Sequence, residues 1–283
     1  MDDTSKIIAI CGGGEIASAA AIRLFKCGYD VVMFAGREEN LLRYHLCLGD
    51  ALFLGQKTVE DITATILPED VLAEQQEKSF DDPLSGGVRY LLKDRKIPVL
   101  EAAEFEKTIP LLSLQALVNA QPASKTPIPV SIDHAPLVVG LHPFHQPGVE
   151  CHLAVESRLN YFLGRVISAG IHLPEEFSLS DFFKDPFAHC QTPVEGLWLS
   201  LKAIGDEIRF NEAIGKINEI EIRSPHDGQL WGLAHSGRFL AAKSPVALIY
   251  QGRASEQYRY LSFRENAIAG GIVQAVMQFG INE

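Results

Sequence analysis

Residues 7–17 read Ile7-Ile8-Ala9-Ile10-Cys11-Gly12-Gly13-Gly14-Glu15-Ile16-Ala17. Five apolar residues in a row predict a short strand covered on both faces. Three glycines then break the run. From Glu15 to Lys26 the apolar residues Ile16, Ala20, Leu24 and Phe25 fall at helical spacing, and Gly28 suits a C-cap. Asp30-Val31-Val32-Met33-Phe34-Ala35 predicts a second buried strand. Strand, glycine turn, helix and strand form a βαβ unit, which requires a parallel sheet.

Gly12, Gly14 and Ala17 fit the pattern G-x-G-x-x-A, placed between strand and helix as that motif demands. Small residues here let the backbone approach a phosphate, and the N–H groups of the helix start attract an anion. The cofactor-binding candidates are therefore Gly12, Gly13, Gly14, Glu15 and Ala17, joined by Arg37 after the second strand and Arg43 beyond it. No carboxylate for a ribose hydroxyl follows Ala35; Arg37 could meet a phosphate instead, as in NADP sites. Glu15 suits the helix dipole but would repel a pyrophosphate. The competing reading is a tight turn in a Rossmann-like sheet with no nucleotide.

Further along, Leu41–Leu52 reads as a helix, as do Val71–Gln76 and Gly87–Lys93, with a loop at Asp81–Gly86 between the last two. Ile97–Leu100, Leu114–Val118 and Pro136–Leu141 are apolar enough for buried strands, while Cys151–Glu156 alternates like a half-exposed edge strand. Between these last two, four histidines (134, 142, 145 and 152) fall within 19 residues, beside Glu150, Cys151 and Glu156. A loop at the carboxyl end of a strand is where open α/β sheets bind ligands. His142, His145, His152 and Glu156 are thus candidate ligand-lining residues able to move protons. The alternative is a stiff polar surface loop. On one strand His152 and Glu156 would lie about 13 Å apart (four residues at ~3.3 Å), too far to chelate one ion, so no metal site is expected.

The texture changes after Pro174. Residues 175–192 read as a connector between an α/β domain (1–174) and a small β domain (193–256), and 257–283 as a helix returning to the first domain. Glu265–Phe279 carries Ile268, Ile272, Val276 and Phe279 on one face. Within the β domain, Ile204-Gly205-Asp206-Glu207-Ile208, Ala213-Ile214-Gly215-Lys216-Ile217 and Ser224-Pro225-His226-Asp227-Gly228 resemble the turn grammar of lipoyl/biotinyl-type barrel-sandwich domains. Attachment needs a lysine at the hairpin tip, but the tip candidate Asn218–Ile222 has none, so no covalent biotin or lipoyl group is expected.

The whole chain of 283 residues has 36 acidic and 25 basic side chains and a net charge of -11. That balance disfavours nucleic acid and anionic membrane surfaces as partners. Five dispersed cysteines without a C-x-x-C pair argue against a disulfide framework. No signal peptide or spanning segment is legible, so a cytoplasmic location is expected. Self-association into a homo-oligomer is compatible with the sequence. Cys11, beside the helix start, could be an activated thiol that handles sulfur or selenium; the alternative is a small buried residue.

The glycine turn, the Pro136–Glu156 segment, the lipoyl-like module and Ala267–Gly271 follow one another over nearly the whole chain. Together they resemble the YqeB-type family, accessory proteins of selenium-dependent molybdenum hydroxylases. The matching residues include Gly12, Gly14, Ala17, Arg43, Ala135, Pro136, Gly140, Gly148, Val149, His152, Glu156, Gly270 and Gly271. Cys11 and Glu15 stand where the family usually has Arg and Asp, Arg43-Tyr44 stands for a paired Arg-Arg, and His142, Pro143 and His145 interrupt its glycine-rich loop. The resemblance implies maturation of a molybdenum hydroxylase, with a molybdopterin-type or nucleotide cofactor as ligand. Its implied partner is the apo-enzyme or its cofactor-assembly machinery. It transfers no catalytic residue. The other readings are an NAD(P)-dependent oxidoreductase using the same turn, and an interaction protein in which the turn is only geometry.

Overall fold

A computed structural model describes residues 7–37, 39–78, 83–121, 127–173 and 186–281. The chain divides into two compact units. One is built from Met1–Arg37, Cys47–Leu179 and Leu261–Glu283, the other from Glu38–Leu46 and Ser180–Tyr260.

Among the described residues the first unit carries nine strands: β1 (Ile7–Cys11), β2 (Asp30–Ala35), β3 (Gln56–Val59), β4 (Ile62–Thr65), β5 (Ile97–Glu101), β6 (Leu114–Asn119), β7 (Leu137–His142), β8 (Leu153–Glu156) and β9 (Val166–Ser168). They form one sheet in the order β3-β4-β5-β2-β1-β6-β7-β8-β9. Seven are mutually parallel, from β4 to β8 in that order; β3 and β9 are antiparallel to their neighbours at the two edges. The chain begins at the centre with β1, builds outward through β2 and β5, then crosses back to β6 and builds the other way. Side chains of β1, β2 and β7 are buried nearly throughout, which is why their sequences are continuously apolar rather than alternating. Helices are α1 (Glu15–Lys26), α2 (Ala51–Leu54), α3 (Glu69–Lys78), α4 (Pro83–Lys93), α5 (Phe105–Thr108) and α6 (Phe263–Ile281). α6 packs on α1 and against β7, β8 and β9, with Ile268, Ile272 and Val276 buried. The last face residue named from the sequence, Phe279, is only partly buried.

Four expectations change. Leu41–Leu52 is not a helix: its ordered turns are Tyr44–Leu46, Leu48–Asp50 and the short α2. The backbone there serves a tertiary partner, since the Leu42 carbonyl accepts from Leu233 N at 2.8 Å, and just before the segment the Glu39 carbonyl accepts from the Arg238 guanidinium at 2.7 Å. A helix would need the Leu42 carbonyl for itself. Pro83–Gly86, read as loop, opens α4, because a proline costs nothing in a first turn that lacks internal N–H partners; Asp81 and Asp82 lie outside the described residues. β8 is not a half-exposed edge strand: β9 covers its outer edge, and Ala154, Val155 and Glu156 are fully buried. Within the expected connector, 174–185 lie outside the described residues, but Phe187–Gln191 is a strand, with Ala188 and Cys190 buried.

The second unit contains β10 (Phe187–Gln191), β11 (Gly196–Ser200), β12 (Glu207–Ile208), β13 (Ala213–Ile217), β14 (Ile220–Arg223), β15 (Gly228–Leu233), β16 (Arg238–Leu240) and β17 (Pro245–Tyr250). They make two four-stranded sheets, β10-β17-β15-β12 and β14-β13-β11-β16, with every pairing antiparallel. Their core gathers Trp198, Ile214, Ile217, Leu230, Val246 and Ile249. Trp198 is fully buried, and its indole N–H donates to the Ala234 carbonyl at 3.1 Å. Gly215 makes room for the ring, since a Cβ there would sit 2.3 Å from it. The β13–β14 hairpin turns at Asn218 and Glu219, with Asn218 at φ 52°.

Candidate functional site

The glycine turn lies at the carboxyl end of β1, where the sheet reverses its direction of growth. Open α/β sheets bind ligands at such a reversal, outside the strand ends. Gly12 N donates to the Phe34 carbonyl at 2.8 Å, and Ala120 N to the Cys11 carbonyl at 2.9 Å, so the ends of β1, β2 and β6 are tied together. Gly12 sits at φ +122°, and a Cβ there would meet the Ala120 carbonyl oxygen at 3.0 Å and Ala17 Cβ at 3.5 Å. Both glycine and the small Ala17 are thus required by the fold. Gly14 caps α1 with no side-chain hydrogen bond. The amides of a first turn have no carbonyl partner inside their own helix.

One side of the turn is covered. A Cβ on Gly49 would fall 2.5 Å from Gly13 Cα, so two backbones touch there. The Ser18 hydroxyl donates to the Gly14 carbonyl and accepts from Leu48 N, both at 2.8 Å. Next to Gly49, Asp50 is fully buried and pairs with Lys57 at 3.0 Å. Gly14 and Glu15, by contrast, are partly exposed. A ligand would therefore approach from Gly14 and Glu15 rather than over Gly13.

Arg37 does not stand alone after β2. Its Nε donates to Glu101 Oε1 at 2.7 Å, both side chains being about half exposed. Glu101 ends β5, and Ala35 is its register partner. No carboxylate directly follows Ala35 in the sequence, but the neighbouring strand places one beside Arg37, which only the strand order reveals. Arg43 belongs to the second unit, where its guanidinium donates to the Tyr260 carbonyl at 3.3 Å. Cys11 is fully buried, and burial pushes its thiol well above the ordinary value. Of the two readings of Cys11, burial within β1 favours the small buried residue over the activated thiol.

The histidine-rich segment resolves into separate jobs. Ser131 N donates to His134 Nδ1, Leu141 N to His145 Nδ1 and Val138 N to His152 Nδ1, at 2.9–3.0 Å. These three rings brace backbone turns. Gly140 is packed between His145 and Cys151, whose thiol burial raises to about 11. Burial also lowers His145, against a smaller upward pull from Glu150. His142 and Glu156 are register partners at the ends of β7 and β8, and His142 Nδ1 lies 2.9 Å from Glu156 Oε2. Glu156 is fully buried. It accepts from Arg158 N at 2.8 Å, Nε at 3.0 Å and Nη2 at 2.7 Å. Burial pushes its carboxyl up, but these bonds outweigh it and hold it below the ordinary range. Of the four ligand-lining candidates, then, His142 and Glu156 come together, whereas His145 and His152 serve the backbone. Arg158, two residues past the strand, was not legible as part of the site.

Among the described residues, no group of three or more His, Cys, Asp and Glu is placed to hold a metal ion, and no helix is long and apolar enough to cross a membrane.

The chain is 25 % identical over 274 residues to the uncharacterised protein YqeB of Escherichia coli (strain K12). That match covers 96 % of this chain and 47 % of the relative, so the chain spans about half the length of the protein it resembles. No family model matches. Three solved structures to which it is similar show weak likeness. A succinylglutamate desuccinylase/aspartoacylase from Rhodobacter sphaeroides is 26 % identical over 22 % of this chain and 21 % of its own, with a TM-score of 0.21. An aspartoacylase family protein from Mesorhizobium loti is 10 % identical over 88 % and 86 %, with a TM-score of 0.25. The ectoine utilization protein EutE (DoeB) of Ruegeria pomeroyi is 10 % identical over 87 % and 85 %, also at 0.25. Likeness this slight carries nothing over to this chain.

Proposed function

We propose that the chain binds a phosphate-bearing cofactor, of nucleotide or molybdopterin type, at the Gly12–Ala17 turn of a Rossmann-like sheet. In this reading it acts in the cytoplasm as an accessory protein in maturing a selenium-dependent molybdenum hydroxylase, and the apo-enzyme or its cofactor-assembly machinery is its partner. The observation that carries the ligand reading is the place of the turn. Without the β3–β4 hairpin and β9, the parallel strands run β5-β2-β1-β6-β7-β8, the doubly wound dinucleotide-binding order, and the turn sits at its switch point. The maturation role rests on the resemblance to YqeB-type proteins along nearly the whole chain. The second unit, with its paired antiparallel sheets, suits a lipoyl/biotinyl-like barrel-sandwich module. Its Asn218–Glu219 tip lacks a lysine, so the module serves packing or client contact rather than carrying biotin or lipoate.

One observation favours a second reading. Glu101 beside Arg37 supplies a carboxylate near the end of β2, as an NAD(P)-dependent oxidoreductase would use for a ribose. A thermal-shift panel of NADH, NADPH, cytidine and guanosine nucleotides and molybdopterin separates the two. A ligand at 100 times its dissociation constant adds about 2.7 kcal/mol to stability. A shift with molybdopterin or a non-nicotinamide nucleotide supports the accessory reading, and a shift with NADH or NADPH alone supports the second. No shift with any ligand removes both, as does an unchanged shift in Gly14→Asp, which puts a charge on the ligand's approach.

A further inference from the structure

The four histidines of the 134–152 segment differ in one chemical respect. At His134, His145 and His152, Nδ1 accepts a backbone N–H and so carries no proton. In their neutral form these rings keep the proton on Nε2 and have no lone pair left to offer. His142 is opposite. Its Nδ1 faces Glu156 Oε2 at 2.9 Å, and an ionised carboxylate only accepts, so Nδ1 must hold the proton. Arg158 Nη2 is also 3.4 Å from this nitrogen, but an unprotonated Nδ1 accepting there would set its lone pair against the Glu156 Oε2 charge at 2.9 Å, a closer and repulsive contact. The Nε2 lone pair of His142 is therefore available, on a side chain 28 % exposed.

The surroundings have a fixed polarity. Among the described residues, the carboxylates paired here are buried: Glu156 completely, and Glu265 to within 4 % of its side chain. The two guanidiniums face water, Arg158 at 51 % and Arg264 at 39 % exposure. Ser157 ties Arg264 to the histidine: Arg264 Nη2 donates to its carbonyl at 3.0 Å, and its hydroxyl donates to the His142 carbonyl at 2.7 Å. Positive charge outside and negative charge inside draw an anion to this end of β7 and β8.

We propose that His142 is a proton acceptor for a small anionic ligand, carrying a carboxylate or phosphate, that binds beside Arg158 and Arg264, with Glu156 as the positioning residue. In the step, an X–H bond of the ligand breaks, where X is oxygen, nitrogen or sulfur. The electron pair stays on X and the proton moves to His142 Nε2. The Nδ1 proton stays in the bond to Glu156, whose buried charge faces the imidazolium formed. Nothing in this depends on a ligand at the glycine turn.

The test is made on the full chain. Long-range nitrogen–proton NMR correlations are expected to show His142 protonated on Nδ1 and His134, His145 and His152 on Nε2. Diethyl pyrocarbonate, which acylates a free imidazole lone pair, should modify His142 before the other three. Inorganic phosphate should slow that reaction, and Arg264→Gln should remove the protection, read as the ratio of rates with and without phosphate in the same variant. Glu156→Gln should lose the Nδ1-protonated signature. An Nε2 proton on His142 in the unsubstituted chain overturns the proposal. So does acylation no faster than at His152, or the absence of phosphate protection. Should Glu156→Gln not fold, the unsubstituted chain and Arg264→Gln still decide. Gly14→Asp should leave all of these readings unchanged, so failure at the glycine turn remains distinguishable.

Discussion

Glu156 is the residue with the most at stake. A fully buried carboxylate is tolerated because Arg158 gives it three hydrogen bonds and His142 a fourth. Arg158→Ala removes the two guanidinium bonds and the positive charge, leaving the carboxylate with the backbone N–H of residue 158 and His142; removing one partner of a buried charge costs up to about 3–5 kcal/mol, less here because the guanidinium is half exposed. The pH dependence follows from the lowered folded value. The unfolded state takes up the proton first, so the stabilising contribution is complete above the unfolded value of about 4.3 and lost as pH falls through the lower folded one. Urea midpoints of the two proteins should therefore differ widely at pH 7 and converge below about pH 4. A gap of equal size at both pH values would place the cost of Arg158→Ala in lost packing and leave the carboxylate out of it. At the same scale, Cys27 is the exposed thiol, whereas Cys11, Cys47, Cys151 and Cys190 are buried. A thiol reagent in native buffer should label Cys27 quickly and Cys11 only on unfolding; fast labelling of Cys11 would restore it as a reactive group.

At the scale of elements, two backbone contacts set the glycine turn. Gly12→Ala forces a side chain onto a left-handed backbone against the Ala120 carbonyl, a strain on the order of 1–3 kcal/mol. Gly49→Ala drives a Cβ onto Gly13, where only backbone can yield. Both should lower the melting temperature, and Gly49→Ala should weaken any ligand held by the turn because it displaces Gly13. Calorimetric melting alongside ligand titration checks this, and a Gly49→Ala protein of normal stability would show that the two backbones separate easily. Gly49 also marks where the sequence stops being legible. β1, α1 and β2 have the bounds read from Ile7–Ala35, since buried strands and an amphipathic helix write their period into the chain. Leu41–Leu52 has a helical pattern of leucines, yet the Leu42 carbonyl accepts from Leu233 and the Glu39 carbonyl just before the segment from Arg238, both far away in sequence. Such pairings leave no local trace. The β3–β4 hairpin is silent for another reason: its turn residues are Glu60 and Asp61, at φ 52° and 158°, without the glycine that usually signals it. In the site, His142 and Glu156 were visible by residue type. That His142 differs from His145 and His152 depends on which backbone N–H each ring meets. Glu101 joins Arg37 only through the order of the strands.

At the scale of the molecule, the net charge of -11 fixes how an anion can be held. The turn offers backbone N–H groups and one Arg37 already paired with Glu101, set in a chain whose overall field repels the ligand. Short-range hydrogen bonds to backbone are little affected by salt, while the long-range repulsion decays over a Debye length of ~10 Å at 0.1 M and ~3 Å at 1 M. Affinity for a phosphate-bearing ligand should therefore hold or rise as KCl goes from about 0.05 to about 0.5 M. A site built from clustered lysines and arginines behaves in the opposite sense, losing affinity steeply with each phosphate contact made. Isothermal titration with whichever nucleotide gives the largest thermal shift, repeated across that salt range, distinguishes the two. A steep fall would mean that the ligand sits on exposed side chains such as Arg158 and Arg264, and that the backbone of the Gly12–Ala17 turn does not hold it.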